Sequence, residues 1–189
     1  DVAEIFKNLP AMMEFFSNIL GVDYPWDKLG NIMSYDYTAG AMENTSAIIY
    51  FDRMLCHRQQ LIDGDFDWII AHELFHHWFG DLVTAESWAN LTINESFADY
   101  SEYLWYDFRD GKDEGDAVKY KSTQKYFRTY KYKNEPIVNY YYVHPSDVFD
   151  GIRYEKGGAV LHMLRYYVGD DAFFKSLNKF LQQYKFNNA

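Results

Sequence analysis

Thiols are almost missing from this 189-residue chain. Cys56 is the single cysteine, so no internal disulfide can form and no metal site can be built from thiolates. The same count leaves the redox compartment open. Long apolar runs are missing too: nowhere do eighteen apolar residues follow one another, which excludes a membrane-spanning helix within this stretch. Positive charge is scarce, with 18 Lys and Arg against 28 Asp and Glu, and a net charge of −10 would repel the phosphates of a nucleic acid. An acidic balance of this size reads first as a solvated surface and second as a field that steers cationic amines. Aromatic residues, by contrast, are plentiful. The 18 Tyr and 15 Phe within a 48% hydrophobic composition mark a globular chain, and its length suits one domain with a sizeable core.

The chemistry concentrates between His72 and Glu102. His72 and His76 are four residues apart, so on a helix their imidazoles lie on one face, one turn apart, within reach of a single ion. Glu73 completes His-Glu-Leu-Phe-His at 72–76, the H-E-x-x-H spacing in which two His bind zinc and the Glu handles the proton of the attacking water. A catalytic zinc usually takes a third protein ligand and leaves one position open. Glu95 is the best candidate, because the 18 residues between it and His76 let the first helix end at Gly80 and a second start beside it. Plainer readings compete: two His and a Glu also suit an ordinary helix surface, and Thr92-x-x-Glu95 also fits a capping box. Asp99 and Glu102, four and seven residues past Glu95, share its side of the helix, where a carboxylate either receives the second ring N–H of a metal-bound His or is merely solvated.

Four blocks in order carry a resemblance: Gly40-Ala41-Met42-Glu43-Asn44, His72-Glu73-Leu74-Phe75-His76-His77-Trp78-Phe79-Gly80, Asn94-Glu95-Ser96-Phe97-Ala98, and Tyr154-Glu155-Lys156-Gly157-Gly158. Over nearly its whole length the chain resembles the catalytic domain of the gluzincin zinc aminopeptidases, peptidase family M1. The resemblance implies an α+β, thermolysin-like zincin domain: a single catalytic domain over 1–189, with a small mixed sheet in 1–51 and a mostly helical part in 52–189. It also implies one zinc ion on His72, His76 and Glu95, with Glu73 as the proton carrier and Tyr154 as hydrogen-bond donor to the oxyanion. Gly40 and Ala41 would lie on an edge strand that pairs with the substrate backbone, and Glu43 would bind the free α-amino group of a peptide. The family pattern keeps a carboxylate at the Glu102 position, which makes Glu102 the preferred partner of a ligand His, ahead of Asp99. Family members are much longer, with a β-rich domain before this region and helical domains after it. Since the chain begins at Asp1 with neither initiator Met nor signal peptide, both ends read as cut, with targeting information outside. Two positions depart from the pattern: Ser96 stands where glycine is common, and Asp81 where Asn is usual.

Local pattern supplies the remaining elements. A short helical turn is expected over 1–7 and a better helix from Pro10 to Leu20, with Gly21 just past its end. Asn31–Tyr37 and Ser46–Phe51 alternate like strands. Asp67–Phe79 should be the His-bearing helix, with Ile70, Leu74 and Trp78 turned inward. His77 points about 100° away from His76 and reads as a packing or surface residue. Asn94–Phe108 should be the Glu95 helix, ended by an exposed loop over Asp110–Asp116. Ala117–Tyr132 reads as a basic surface helix, Pro136–Phe149 as irregular, and Gly151–Val168 and Asp170–Tyr184 as two closing helices, the last one strongly amphipathic.

The expected activity is zinc-dependent removal of N-terminal residues from peptides. Two rivals follow. Hydrolysis of a lipid epoxide rests on analogy with one relative alone. A catalytically silent metal-binding scaffold is the rival of a different class, opposed by the presence of every expected catalytic residue.

Overall fold

Pro10 and Gly21 frame the first long helix as their chemistry dictates. In the computed structural model, which describes residues 2–189, α1 (Val2–Ile5) is a single turn and α2 (Leu9–Leu20) starts with proline in its first turn. Asp1, at the head of the expected opening turn, lies outside the described residues. Gly21 closes α2 in the left-handed conformation at φ 59°, donating its N–H to Asn18 O. Met12, Phe16 and Leu20 form the buried stripe of α2.

Three short strands follow. β1 (Gly30–Ser34) stops earlier than expected because the chain turns over the next residues, Asp36 taking φ 55°. β2 (Ala41–Met42) and β3 (Ala47–Phe51) are joined by a tight turn, and the sheet order is β1-β3-β2. β1 runs parallel to β3, with Gly30 opposite Ala47, and β2 antiparallel to it, with Ala41 opposite Tyr50. The sheet is therefore mixed, with β2 on a free edge. Ile48 and Tyr50 point into the core in the alternation of a half-buried strand.

The His-bearing helix α3 (Asp67–Phe75) is buried on all sides except at Trp68. Its α geometry also ends sooner. From His76 the ladder tightens, His77 N–H reaching Leu74 O and Trp78 N–H reaching Phe75 O, before Gly80 turns the chain at φ 144°. A side chain at Gly80 would press on His76 O at 3.1 Å. After β4 (Val83–Thr84) comes α4 (Thr92–Asp110), and after it α5 (Lys112–Tyr130). The loop expected over Asp110–Asp116 is absent: Gly111 alone, at φ 95°, makes the corner. Charges that suggested a loop instead suit a helix start, with Asp113 and Glu114 in the first turn and a Lys112–Asp116 ion pair one turn on. The capping-box reading of Thr92 also fails, since Leu91 is the cap residue and makes no side-chain cap bond.

A five-residue π-helical turn (Ile152–Lys156) leads into α6 (Gly157–Val168); then come α7 (Asp170–Tyr184) and β5 (Asn187–Asn188), which pairs in parallel with β4. Aromatic rings from four helices, among them Phe16, Phe75, Trp105 and Phe173, fill the core together with Trp78 from the turn after α3. The head of α3 is anchored to α4 through one carboxylate: Asp67 Oδ2 accepts from Asn8 Nδ2 and Trp105 Nε1, each at 2.8 Å, and from Arg109. No helix among the described residues is long and apolar enough to cross a membrane. The architecture is α+β, as expected.

Candidate active site

Because α3 and α4 pack side by side, residues from both face one point. Glu95 Oε2 lies 3.3 Å from His72 Nε2 and 3.3 Å from His76 Nε2. All three residues are buried, and donor atoms from each lie within 4.8 Å of one another. A tetrahedral ion with bonds of about 2.0–2.1 Å keeps its ligand atoms about 3.3–3.4 Å apart, so this donor set fits a zinc-sized cation. Each imidazole is oriented through its other nitrogen. His72 Nδ1 donates to Glu102 Oε1 at 3.1 Å, and His76 Nδ1 to the Phe79 carbonyl at 3.1 Å. Asp99 does not join this layer; it accepts from Ser122 Oγ at 3.2 Å and is neither a His partner nor simply solvated.

The three donors open onto a cleft of about 650 Å³. Glu73 lies in its wall, 6% exposed, and its Oε2 is buried without a hydrogen-bond partner, the kind of orphan that a functional site explains. Glu43, at the end of β2, approaches His76 Nδ1 to 4.0 Å, while Gly40 and Ala41 line the same cleft. Tyr154 stands on the π-helical turn, a distortion that recurs at functional sites, with its ring stacked on His72 at 5.9 Å between centroids. The structure thus brings together every residue singled out from the sequence except Asp99, which lines the cleft away from the ion-binding point. Sequence reasoning missed part of the lining: Trp88 and Phe149, whose rings lie 5.7 Å apart, and Lys125, which faces Glu155 at 3.6 Å. No spacing ties those positions to the motif.

Carboxylates and imidazoles shift one another's titration at this point. Burial would raise the Glu95 carboxyl, but His76 and His72 around it hold it far below the ordinary carboxylate range. Burial likewise opposes charge on both imidazoles. Hydrogen bonds to Glu102 and Glu95 nevertheless raise His72 well above its usual value, and Glu43 and Glu95 raise His76 to about 9. The carboxylates around the two imidazoles thus favour positive charge at this point, the sign a divalent ion supplies. Glu73 differs, because burial pushes it up to about 7 against the pull of His72 and His76, near the range in which a carboxyl exchanges protons at neutral pH. Burial, followed by Glu95, carries the Tyr154 phenol far above 10, which keeps it a neutral donor.

Two further residues brace the site. His77 is fully buried, so of its two readings packing holds and surface does not, and it is hydrogen-bonded as well: its Nδ1 meets Glu73 O at 3.1 Å and its Nε2 meets Ser46 N at 3.1 Å. Burial lowers its pKa to about 4, consistent with a neutral ring that donates on one side and accepts on the other. Ser96, next to Glu95, accepts from Thr92 Oγ1 and donates to Arg153 O, beside Tyr154. A Cβ added at Gly157 would fall 1.7 Å from Ser96 Oγ, so only glycine lets the tyrosine-bearing turn sit this close to α4.

Two imidazoles from one buried helix and a carboxylate from the next, beside a mixed sheet with a free edge, define a single-metal α+β domain of the zincin type. The profile of the Peptidase family M1 domain matches residues 5–189, and the chain belongs to that family. It is 32% identical over 203 residues to aminopeptidase N of Streptomyces lividans, covering 100% of this chain and 23% of that protein. Aminopeptidase M1-C of Oryza sativa subsp. japonica is 32% identical over 194 residues, covering 94% of this chain and 21% of the relative. The chain thus spans under a quarter of the length of these curated relatives. Among solved structures it is similar to an M1 zinc metallopeptidase from Deinococcus radiodurans bound to a Tyr-Ser-Ala substrate, with TM-score 0.77 and 25% identity, covering 96% of this chain and 37% of that one.

Proposed function

We propose that this chain is the catalytic domain of a longer zinc aminopeptidase that removes N-terminal residues from peptides with a free amino group. The observation that carries the reading is the convergence of His72, His76 and Glu95 on one point, beside a buried Glu73 oxygen with no partner. Those three side chains would hold one zinc ion, which supplies Lewis acidity toward a peptide carbonyl and toward water. Glu73 takes the proton of the attacking water at Oε2 and returns one to the leaving amine. Tyr154 donates its phenol hydrogen to the oxyanion that develops on the former carbonyl. Glu43 accepts hydrogen bonds from the substrate ammonium, and the free edge at Gly40 and Ala41 offers backbone partners to the peptide. A carboxylate facing the ammonium selects chain ends over internal bonds.

The test uses the full-length protein: metal analysis together with a panel of aminoacyl chromogenic anilides and their N-acetylated counterparts. About one zinc per chain and cleavage confined to free-amine substrates are expected. Zinc without hydrolysis of any panel member would overturn the reading in favour of a silent scaffold.

A further inference from the structure

The residue with the least obvious purpose in the motif is His77, which is turned off the metal face yet 0% exposed. Its surroundings account for it. Where the end of α3 tightens, His77 N–H bonds Leu74 O at 3.1 Å and leaves Glu73 O to be taken by the His77 ring. A carbonyl only accepts, so Nδ1 carries the ring hydrogen and Nε2 is left as an acceptor. That acceptor faces Ser46 N–H at 3.1 Å. Ser46 sits at φ 61°, a left-handed conformation that a serine adopts reluctantly, so surrounding contacts must hold it. It is held from both sides, because Gly30 N–H donates to Ser46 O at 2.9 Å. The turn thus secured begins at Glu43.

We infer that His77 is a positioning residue that ties the Glu43 turn to the backbone of Glu73 and so sets the distance between the amine-binding carboxylate and the reacting centre. The inference rests on the amine-binding reading of Glu43. Its functional signature is a rise in KM for free-amine substrates with metal content intact, because the side chains that hold the ion are not touched.

The full-length enzyme should be compared with His77→Gln, His77→Met and Glu43→Gln. Glutamine carries one donor and one acceptor, so His77→Gln should keep KM within about threefold of the parent, whereas His77→Met, which can serve neither group, should raise KM about tenfold or more, as expected for a small displacement of a binding group. Unchanged KM in His77→Met, alongside a raised KM in Glu43→Gln, would overturn the bracket while leaving the role of Glu43 intact. Unchanged KM in Glu43→Gln would instead sink the reading of Glu43, and the inference with it. Should His77→Met fail to fold, amide hydrogen exchange on the parent enzyme decides the matter: slow exchange at Ser46 supports the bond, and exchange at the rate of exposed Asn44 overturns it.

Discussion

The floor and the rim of the cleft are supported in different ways. His72, His76 and Glu95 form the floor, carried by two helices packed face to face with the donors buried. Glu43 and Tyr154 form the rim, carried by a hairpin turn whose Asn44 and Thr45 are exposed and by a π-helical turn. An ion needs its donors in place before it arrives, which only well-packed supports ensure. Groups that meet a substrate must also let it in, and such segments are drawn from the less stable parts of a fold. The rim here is held by isolated side-chain bonds to single backbone groups, His77 to Ser46 and Ser96 to Arg153. Floor and rim should therefore fail separately.

The sharpest way to break that division is Glu73→Gln. It should cut kcat by about 10²–10⁴ while zinc stoichiometry stays at the parent level, read by anilide turnover and metal analysis. Retained turnover would remove Glu73 from the chemistry. Tyr154→Phe should cost about 10²–10³ in kcat with KM and metal content unchanged, the pattern for a donor used only in the transition state. On the floor, Glu102→Gln should weaken metal affinity about tenfold to a hundredfold in a chelator competition, whereas Glu43→Gln on the rim should leave that affinity as it was. A fall in metal affinity in Glu43→Gln would erase the distinction.

The smallest effect concerns Asp81, just beyond the floor. Burial raises its carboxyl to about 7 against the opposing pull of Thr45, and its Oδ2, 3.9 Å from His77 Nε2, has no hydrogen-bond partner. An unfolded Asp titrates near 3.9, so between about pH 4 and pH 7 the folded chain binds the proton that the unfolded chain has released. Stability contributed by this group is therefore lost as pH rises through that window. Asp81→Asn should match the parent in melts near pH 4 and exceed it by about 1–3 kcal/mol above pH 7.

The floor was legible before any coordinates, because H-E-x-x-H and a carboxylate on the following helix are spacings with a direct geometric meaning. Glu43 and Tyr154 were not legible in that way. Nothing local distinguishes Tyr154 from the other tyrosines, and only the resemblance singled it out. His77 was legible only as a packing or surface residue, because helical periodicity says where a side chain does not point, but not which distant backbone group waits on the other side. The corner at Gly111 was misread because a charged, glycine-containing stretch suits a helix start as well as a loop, and the α4–α5 contact that decides between them is tertiary.

Serine at 96 and glycine at 157 occupy what is in effect a single side-chain volume divided between two elements. Whatever mutation adds at one position must be taken away at the other. Substitutions there should be accepted in pairs, so a variant library that samples the two sites independently would discard most of its members, while one that couples them would reveal how far the tyrosine can be moved.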